Sequence, residues 1–409
     1  MKKVLAILLA LAMVFALAAC GEKKEPQPQA PVADADYEIR IYTNTNDESE
    51  VAWLKENAEK AGFKISVDDN TVISGDAQVI QTANESKDGD VLFGMNETRW
   101  GQVINGNYEN LKLVEWEPTW SNLVGTFKYD KKAYGVTIQD VLMLYRTDEL
   151  GTNGKALKFD HWSEMAEQGM KYYRQGKVGG TTNGNINNCM LFPYADPTSP
   201  AGGISVDGWK ALWKYCAGGT FTGDSYGFDP LNRGDVSLST FYSSSLYGSV
   251  DTADSGSTNP LTYDAAKNAP GNWALVDIKD GSYFIAEYIG VLEKANRTEE
   301  QALQVKAFCE WFGSTEVQTQ WANEFDRYPC NTAAAAASDL VDYAGIYSLH
   351  NMAQDKVGDK LYYEYVAEHS PEWTNIMTNL GFYWADMSKP NAEPDWANLD
   401  WATLCKAAK

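Results

Sequence analysis

Short apolar runs alternate with amphipathic helical stretches along most of the chain, and residues 39–67 show this most clearly. The alternating run Ile39–Tyr42 predicts a buried strand. Apolar residues then recur at helical spacing over Val51–Ala61, and Gly62 predicts the end of that helix. A second apolar run follows at Phe63–Val67. This order predicts a β-α-β unit with parallel strands and a right-handed crossover.

Four polar residues, Thr43, Asn44, Thr45 and Asn46, follow the first predicted strand. In open α/β sheets, ligands bind outside the carboxyl ends of strands, where polar side chains meet the unpaired amides of a helix N-terminus. A helix cap needs only one such side chain. We therefore expect ligand contacts in this loop, and a capping loop without a ligand is the alternative.

Other candidates lie at the ends of further predicted strands. Asn96 and Glu97 follow the apolar run Asp90–Gly94, and Gln139 and Asp140 lie on a long apolar strand. Polar groups on a buried strand are costly unless they find partners, so the last two are candidates for a cleft or for satisfied structural positions. The expected ligand-contacting set is completed by Ser74, Gly75, Trp100, Tyr242, Ser243, Trp273 and Tyr288.

The pattern in the rest of the chain predicts a mixed α/β structure. Helices are predicted at His161–Gly176, Val206–Ala217, Glu299–Phe312, Thr315–Glu324 and Ala333–Ala337, strands at Asn272–Ile278 and Ser282–Leu292, and a Gly/Asn-rich loop at 179–188. No CxxC or Cys/His cluster predicts a metal site. The sequence does not decide whether the cysteines form disulfides or stay as free thiols. The pairs nearest in sequence are Cys189–Cys216 and Cys309–Cys330, which leaves Cys405 without a partner in such a pairing.

The N-terminus has the pattern of a targeting segment. Lys2 and Lys3 precede the apolar run Val4–Phe15, which is too short for a good membrane span. The sequence LAACG at 17–21 resembles the lipobox of bacterial lipoproteins. That resemblance implies removal of a signal peptide at 1–19 and lipidation of Cys20. Residues 20–36 are rich in Pro, Gln and charge and are expected to form a disordered tether.

The length and net charge of the chain limit the classes of function that we expect. The 409 residues are enough for two lobes, and the net charge of −22 is spread along the chain. Nucleic-acid binding is not expected, because it needs a clustered basic face. A negative field favours cationic ligands, although general solubility also explains it. The GxSxG match at Gly223–Gly227, with Ser225, has loop-forming residues on both sides instead of the strand and helix of a nucleophile elbow, so an enzyme is not expected.

Several segments occur in the order found in one family: the lipobox, IRIYT, SGDAQVIQTANESKDGDVLFGMNE, KKAYGVTIQDVLMLYRTDEL and AEYIGVLEKANRTEEQ with its continuation to residue 331. Together they resemble the extracellular solute-binding proteins of ABC importers, in the iron/thiamine/aminoethylphosphonate/polyamine-type group. The resemblance implies an α/β, two-lobed periplasmic-binding-protein-like fold with two inter-lobe crossing segments. The expected lobes are 37–138 with 273–332 and 139–272, and 333–409 is expected to be a helical segment packed on them.

The resemblance also implies a small solute, an ABC permease as partner, a monomer held at the cell membrane by its lipid, and no cofactor or metal. Iron-binding members use a consecutive tyrosine pair at a strand end in lobe two, where this chain has Phe241 and Tyr242. The pairs Tyr172-Tyr173 and Tyr362-Tyr363 fall on predicted helices, where adjacent side chains diverge. We therefore favour an organic cation such as thiamine or a polyamine, stacked on aromatic residues. Iron(III) or aminoethylphosphonate, then an oligosaccharide-binding lipoprotein, and then a secreted hydrolase are the alternatives.

Overall fold

The first part of the chain forms the predicted parallel β-α-β arrangement. This computed structural model describes residues 33–45, 48–67, 76–95, 97–120, 128–129, 131–148, 157–173, 184–220, 228–243, 246, 259–264, 269–340, 349–382 and 392–406. Strand β1 (Glu38–Thr43) pairs in parallel with β2 (Lys64–Val67) and with β3 (Val91–Gly94). Helices α1 (Glu48–Lys60) and α2 (Asp76–Ser86) connect the three strands.

One long strand, β5 (Ala133–Arg146), takes part in both lobes. Its first part pairs antiparallel with β12 (Phe284–Val291), and β12 pairs with β3. This gives the first lobe the strand order β5-β12-β3-β1-β2. The second part of β5 pairs antiparallel with β7 (Leu238–Tyr242) and β10 (Trp273–Leu275), which belong to the second lobe.

The change of partners defines the crossing point between the lobes. Asp140 is opposite Phe284 of the first lobe, whereas Val141 is opposite Tyr242 of the second. The chain returns beside this point, where the Ser282 hydroxyl donates to the Asp140 carboxylate and to the Val141 carbonyl. The two crossing segments are therefore hydrogen-bonded to each other.

The remaining elements have the following bounds. The short strands are β4 (Lys128–Tyr129), β6 (Lys158–Phe159), β8 (Tyr263–Asp264), β9 (Ala269–Pro270), β11 (Asp277–Ile278), β13 (Lys356–Val357) and β14 (Lys360–Leu361). The helices are α3 (Glu97–Ile104), α4 (Gly184–Leu191), α5 (Val206–Gly218), α6 (Phe228–Arg233), α7 (Glu299–Phe312), α8 (Thr315–Phe325), α9 (Thr332–Ala337), α10 (Tyr362–Asn379) and α11 (Trp401–Leu404). Single 3-10 turns lie at Trp162–Glu167, Phe192–Tyr194 and Met352–Gln354.

Helices cover both faces of the first-lobe sheet, since its strands are apolar on both sides. Phe308, Phe312 and Trp321 of α7 and α8 pack on one face with Ile41 and Phe93. A second cluster, which includes Trp100 of α3, covers the other face. Three of the helix starts here are capped by side chains, with Thr298, Ser314 and Asn331 accepting backbone amide hydrogen bonds.

Helix α10 contacts both lobes. On the first lobe, Ala367 packs against Gly101 of α3. On the second, the Tyr362 hydroxyl donates to the Asn188 carbonyl at 2.6 Å, and the Trp373 indole donates to the Gly202 carbonyl at 2.7 Å. This helix is thus a third connection between the lobes, in addition to the two crossing segments.

Two predictions of local structure are wrong. The helix expected over His161–Gly176 is a 3-10 turn that ends at Glu167, and Tyr172 and Tyr173 form single bridges to Leu238 and Thr220 instead. Both tyrosines are buried, so tertiary packing determined their conformation. The last part of the expected Gly/Asn loop is the start of α4. The five cysteines after Cys20 are free thiols: Cys189, Cys216, Cys309, Cys330 and Cys405.

Candidate functional site

The carboxyl ends of β1 and β3 meet at one edge of the first lobe, which we call the strand-tip edge. The Asn44 side-chain oxygen accepts a hydrogen bond from the Met95 amide at 3.0 Å, which ties the two tip loops together. The Thr45 amide donates to the Thr43 hydroxyl at 3.0 Å. Thr43 and Thr45 are buried, whereas Asn44 is partly exposed. The Thr43 hydroxyl is therefore used within its own loop and does not cap α1, which begins at Glu48, whereas Asn44 can contact a ligand.

Gly94 is required where β3 ends. Its φ is +83°, and a Cβ there would lie 1.8 Å from the Asn44 side-chain oxygen. The backbone thus approaches Asn44 as closely as only glycine permits.

Replacing Gly94 by alanine is expected to lower the free energy of unfolding by about 2–3 kcal/mol, because left-handed strain adds to the loss of the Asn44–Met95 hydrogen bond. Gly62→Ala is the matched control: its φ is +91° but it has open space around its Cβ position. We expect it to cost only the strain, about 1 kcal/mol. Urea unfolding of the two variants measures the difference, and equal losses would contradict the contact with Asn44.

A carboxylate lies at the same edge, one strand further along the sheet. The Thr137 hydroxyl of β5 donates to Glu287 of β12 at 2.7 Å, and Glu287 is partly exposed. Tyr288 is opposite Gly94, so Glu287 lies beside the loop that carries Met95. Gln139, two residues beyond Thr137, is also partly exposed and points to the same face of the sheet. Neighbouring strands are about 4.8 Å apart, so β1 and β5 are about 14 Å apart across the sheet.

The second lobe contributes Tyr242, Ser243 and Asn185 at the crossing point. The Asp140 amide donates to the Ser243 hydroxyl at 3.0 Å, across the boundary between the lobes. Tyr242 ends β7, is partly exposed, and accepts from the Asn185 side chain at 3.3 Å. The structure therefore brings Gln139, Asp140, Tyr242 and Ser243 together at the crossing point, although Asp140 and Ser243 are fully buried and cannot contact a ligand here.

Three of the aromatic candidates are core residues. Trp100 and Tyr288 are 1 % exposed and belong to one cluster under the first-lobe sheet, where the Trp100 indole donates to the Gly94 carbonyl at 2.7 Å. Trp273 is 2 % exposed and donates to the Thr262 carbonyl at 2.9 Å. Their contribution to a site is support from beneath, since no ligand can reach them here. Asn46, Ser74, Gly75, Asn96 and Cys20 lie outside the described residues, as does the side chain of Glu97.

Sequence reasoning missed Glu287, Asn185 and an ion pair at the start of α1. Glu287 is the only charged residue in the β12 sequence FIAEYIGV, and that interruption of an apolar strand was the available signal. Arg327 donates to the buried Glu50 carboxylate at 2.9 Å and 3.0 Å. No short motif predicts this pair, because its partners are far apart in sequence.

One titratable group near the crossing point, the Cys189 thiol, has a shifted pKa. Burial, and then the charge of Asp140, raise the pKa of the Cys189 thiol well above its usual value. The thiol is therefore protonated, unlike the thiolate of a nucleophile or a metal ligand. In the described part of the chain, no group of three or more His, Cys, Asp or Glu side chains is placed to hold a metal ion. No helix in that part is long and apolar enough to cross a membrane.

Known proteins share this architecture. An apo ferric ion-binding protein A from Pasteurella haemolytica superposes with a TM-score of 0.60 at 14% identity, covering 85% of this chain and 99% of that one. An open-conformation ferric iron-binding protein A from Mannheimia haemolytica gives 0.57 at 15%, covering 85% and 99%. A Trichodesmium protein, IdiA or FutA, in complex with iron and citrate gives 0.56 at 12%, covering 85% and 100%. At these identities the likeness shows the fold alone, and it confirms the predicted two-lobed α/β class.

The sequence also matches a protein family. Among curated proteins, none matches the chain. Residues 52–346 match the family described as bacterial extracellular solute-binding protein, which is more than half of the chain. This agrees with the resemblance seen in the sequence and places the chain outside the cytoplasm. The chain belongs to the bacterial extracellular solute-binding protein family.

Proposed function

We propose that this protein is the lipid-anchored solute-binding component of an ABC importer, and that it captures a small organic cation between its lobes. The observation that carries the proposal is the change of partners along β5. It joins two lobes at a hydrogen-bonded junction, with partly exposed polar side chains from both lobes beside it. Such a junction supports hinge closure around a ligand.

A ligand that contacts only one lobe does not favour closure. Moving a mostly open protein to a mostly closed one requires about 5 kcal/mol of differential affinity, so contacts to both lobes are needed. Asn44, Glu287 and Gln139 are available on the first lobe. Tyr242 and Asn185 are available on the second.

Charge and chemistry favour a cation. Glu287 is a partly exposed carboxylate at the strand-tip edge, and the chain as a whole carries −22. The partly exposed Tyr242 ring of the second lobe can stack on or cover an organic cation. With Trp100, Trp273 and Tyr288 in the core, the aromatic wall is smaller than expected. A slender polyamine therefore fits the described residues better than a flat ring such as thiamine.

Ferric iron is the second candidate. The structural relatives are described as ferric ion-binding proteins, and Tyr242 is a phenol at the crossing point. Against iron, the neighbouring strand residue is Phe241, and the described residues offer no cluster of metal-ligating side chains.

Native mass spectrometry of the purified protein, followed by a thermal-shift panel, tests the ligand class. The panel contains putrescine, spermidine, thiamine, ferric citrate, aminoethylphosphonate and a maltodextrin. A ligand at a hundredfold excess over its Kd stabilises the folded state by about 2.7 kcal/mol. A shift with a polyamine or thiamine alone supports the proposal, and a shift with ferric citrate alone moves the protein to the second candidate. A shift with maltodextrin, or turnover of an ester or glycoside, overturns it.

The anchor is tested separately. Acylation of Cys20 predicts that the full-length protein, expressed in a bacterium, partitions with membranes and that Cys20→Ser releases it to the soluble fraction. Equal partitioning of the two proteins would contradict the anchor and leave the ligand assignment untouched.

A further inference from the structure

A basic cavity lies at the edge of the first lobe opposite the strand tips. It has a volume of about 630 Å³ and lies where β3 begins and β12 ends. Its lining includes four cations: Lys87, Lys112, Lys294 and Arg297. Two carboxylates, Glu109 and Glu293, and the Asn110 amide complete its polar lining. The cations outnumber the carboxylates, in a chain whose net charge is −22.

Two of these cations are fixed from below by a buried carboxylate, Asp90. Arg297 donates to Asp90 at 2.7 Å and to the Leu292 carbonyl at 2.9 Å, and its side chain is 5 % exposed. Its Nε is buried and has no hydrogen-bond partner within the described part of the chain. Lys294 donates to Asp90 at 3.1 Å. Burial alone would lower the pKa of Lys294, but the Tyr37 hydrogen bond and the charge of Asp90 outweigh burial and raise it.

The other two cations are available to a partner. Lys87 follows α2 and Lys112 precedes the strand-like segment beside β12, and both are exposed. Fixed cations at the base and exposed cations at the mouth form an arrangement that suits a phosphate group, which accepts several charge-assisted hydrogen bonds at once.

The chain enters the fold beside this cavity. The Asp34 amide donates to the Glu300 carbonyl at 3.1 Å, and the Tyr37 hydroxyl bonds to Asp90 at 2.7 Å and to Lys294 at 3.0 Å. Twelve residues lie between Cys20 and Ala33. Even fully extended, they reach only about 45 Å. An acylated Cys20 would therefore keep this edge of the first lobe near the membrane surface.

We propose that the basic cavity binds phosphate groups of anionic phospholipids, and so orients the first lobe with this cavity on the membrane surface. The orientation rests on the proposed lipid anchor, whereas phosphate binding by the cavity does not. At physiological ionic strength, charges beyond about 8 Å are largely screened, so the local cations outweigh the distant negative charge of the chain.

Vesicle co-sedimentation tests the cavity without the anchor. The probe protein is the mature chain from residue 20 with Cys20→Ser, mixed with vesicles of phosphatidylcholine or of an equal mixture of phosphatidylcholine and phosphatidylglycerol. We expect binding to the mixed vesicles only. Each lysine near an anionic surface contributes about fivefold in affinity, so Lys87→Gln with Lys112→Gln is expected to weaken binding about 25-fold. The control, Lys210→Gln with Lys214→Gln, removes the same charge from exposed positions on α5 of the second lobe and should bind as the parent does.

A second experiment distinguishes lipid phosphate from free phosphate ions as the ligand. Inorganic phosphate and glycerol phosphate are titrated by calorimetry against the same proteins. Binding of these ions that disappears in the Lys87/Lys112 variant, without vesicle binding, supports a phosphate site that serves a free ion. Equal vesicle binding by the two double variants, or no binding of vesicles and ions alike, overturns the proposal. The ligand panel for the strand-tip edge is read independently, so failure of one assignment does not decide the other.

Discussion

Replacing Asp90 by asparagine is expected to lower the free energy of unfolding by about 3–5 kcal/mol. The Asp90 side chain is fully buried and holds Lys294 and Arg297 together with the Tyr37 hydroxyl and the Arg40 amide. Asparagine keeps the shape but removes the charge, and it presents an NH₂ group toward donors. The cost comes from the two cations, because Arg297 is too enclosed to recover its hydration.

Urea unfolding measures this loss as a lower midpoint with an unchanged slope. Asp36→Asn is the control, since it removes the same charge from a fully exposed pair with Lys64. Its midpoint should stay at that of the parent. A shift for Asp90→Asn no larger than that of the control would show that the Asp90 network does not stabilise the first lobe.

The alternation of strands and helices could be predicted from sequence because it depends on local patterns. The β-α-β unit at 39–67 follows from apolar spacing and one glycine, and the capped starts of α7 and α8 follow from Thr298 and Ser314. Gln139 and Asp140 interrupt an otherwise apolar strand, which is the sequence signal for the change of partners along β5.

The lining of the site was less predictable, because burial is decided by contacts between distant segments. Trp100 and Tyr288 looked like cleft aromatics, but they pack against each other under the sheet at 6.1 Å between ring centroids. The same limit applies to Tyr172, which is held by the carbonyl of Tyr215 and not by a helix of its own. Apolar or aromatic character indicates that a residue is available for packing, and the fold determines which face it packs on.

Residues that bear charge on apolar strands are more informative than aromatic residues on the same strands. Glu287 interrupts β12, and Asp90 immediately precedes β3. A carboxylate in such a position must be paired, as Asp90 is, or must reach solvent, as the partly exposed Glu287 does. This contrast separates the structural carboxylate of the first lobe from the one expected to bind a ligand.

Replacing Glu287 by glutamine is expected to weaken binding of a cationic solute about 10- to 100-fold, since a charge-assisted hydrogen bond contributes about 1.5–3 kcal/mol. The amide can still accept from Thr137, so the fold should retain its unfolding midpoint. The control is Glu316→Gln, which makes the same change of net charge at an exposed position on α8. Calorimetric titration with the ligand identified in the panel measures both affinities.

The comparison separates a direct contact from a general field effect. If the negative charge of the whole chain attracts the cation, the two variants lose the same small amount of affinity, and both losses vanish at high salt. If Glu287 contacts the ligand, its loss exceeds that of Glu316→Gln and persists in salt, because a closed cleft excludes screening ions.

Tyr242→Phe extends the test to the second lobe. The substitution keeps the ring that would cover a cation but removes the phenol that iron would require. Retained affinity therefore favours the organic cation, and lost affinity favours iron.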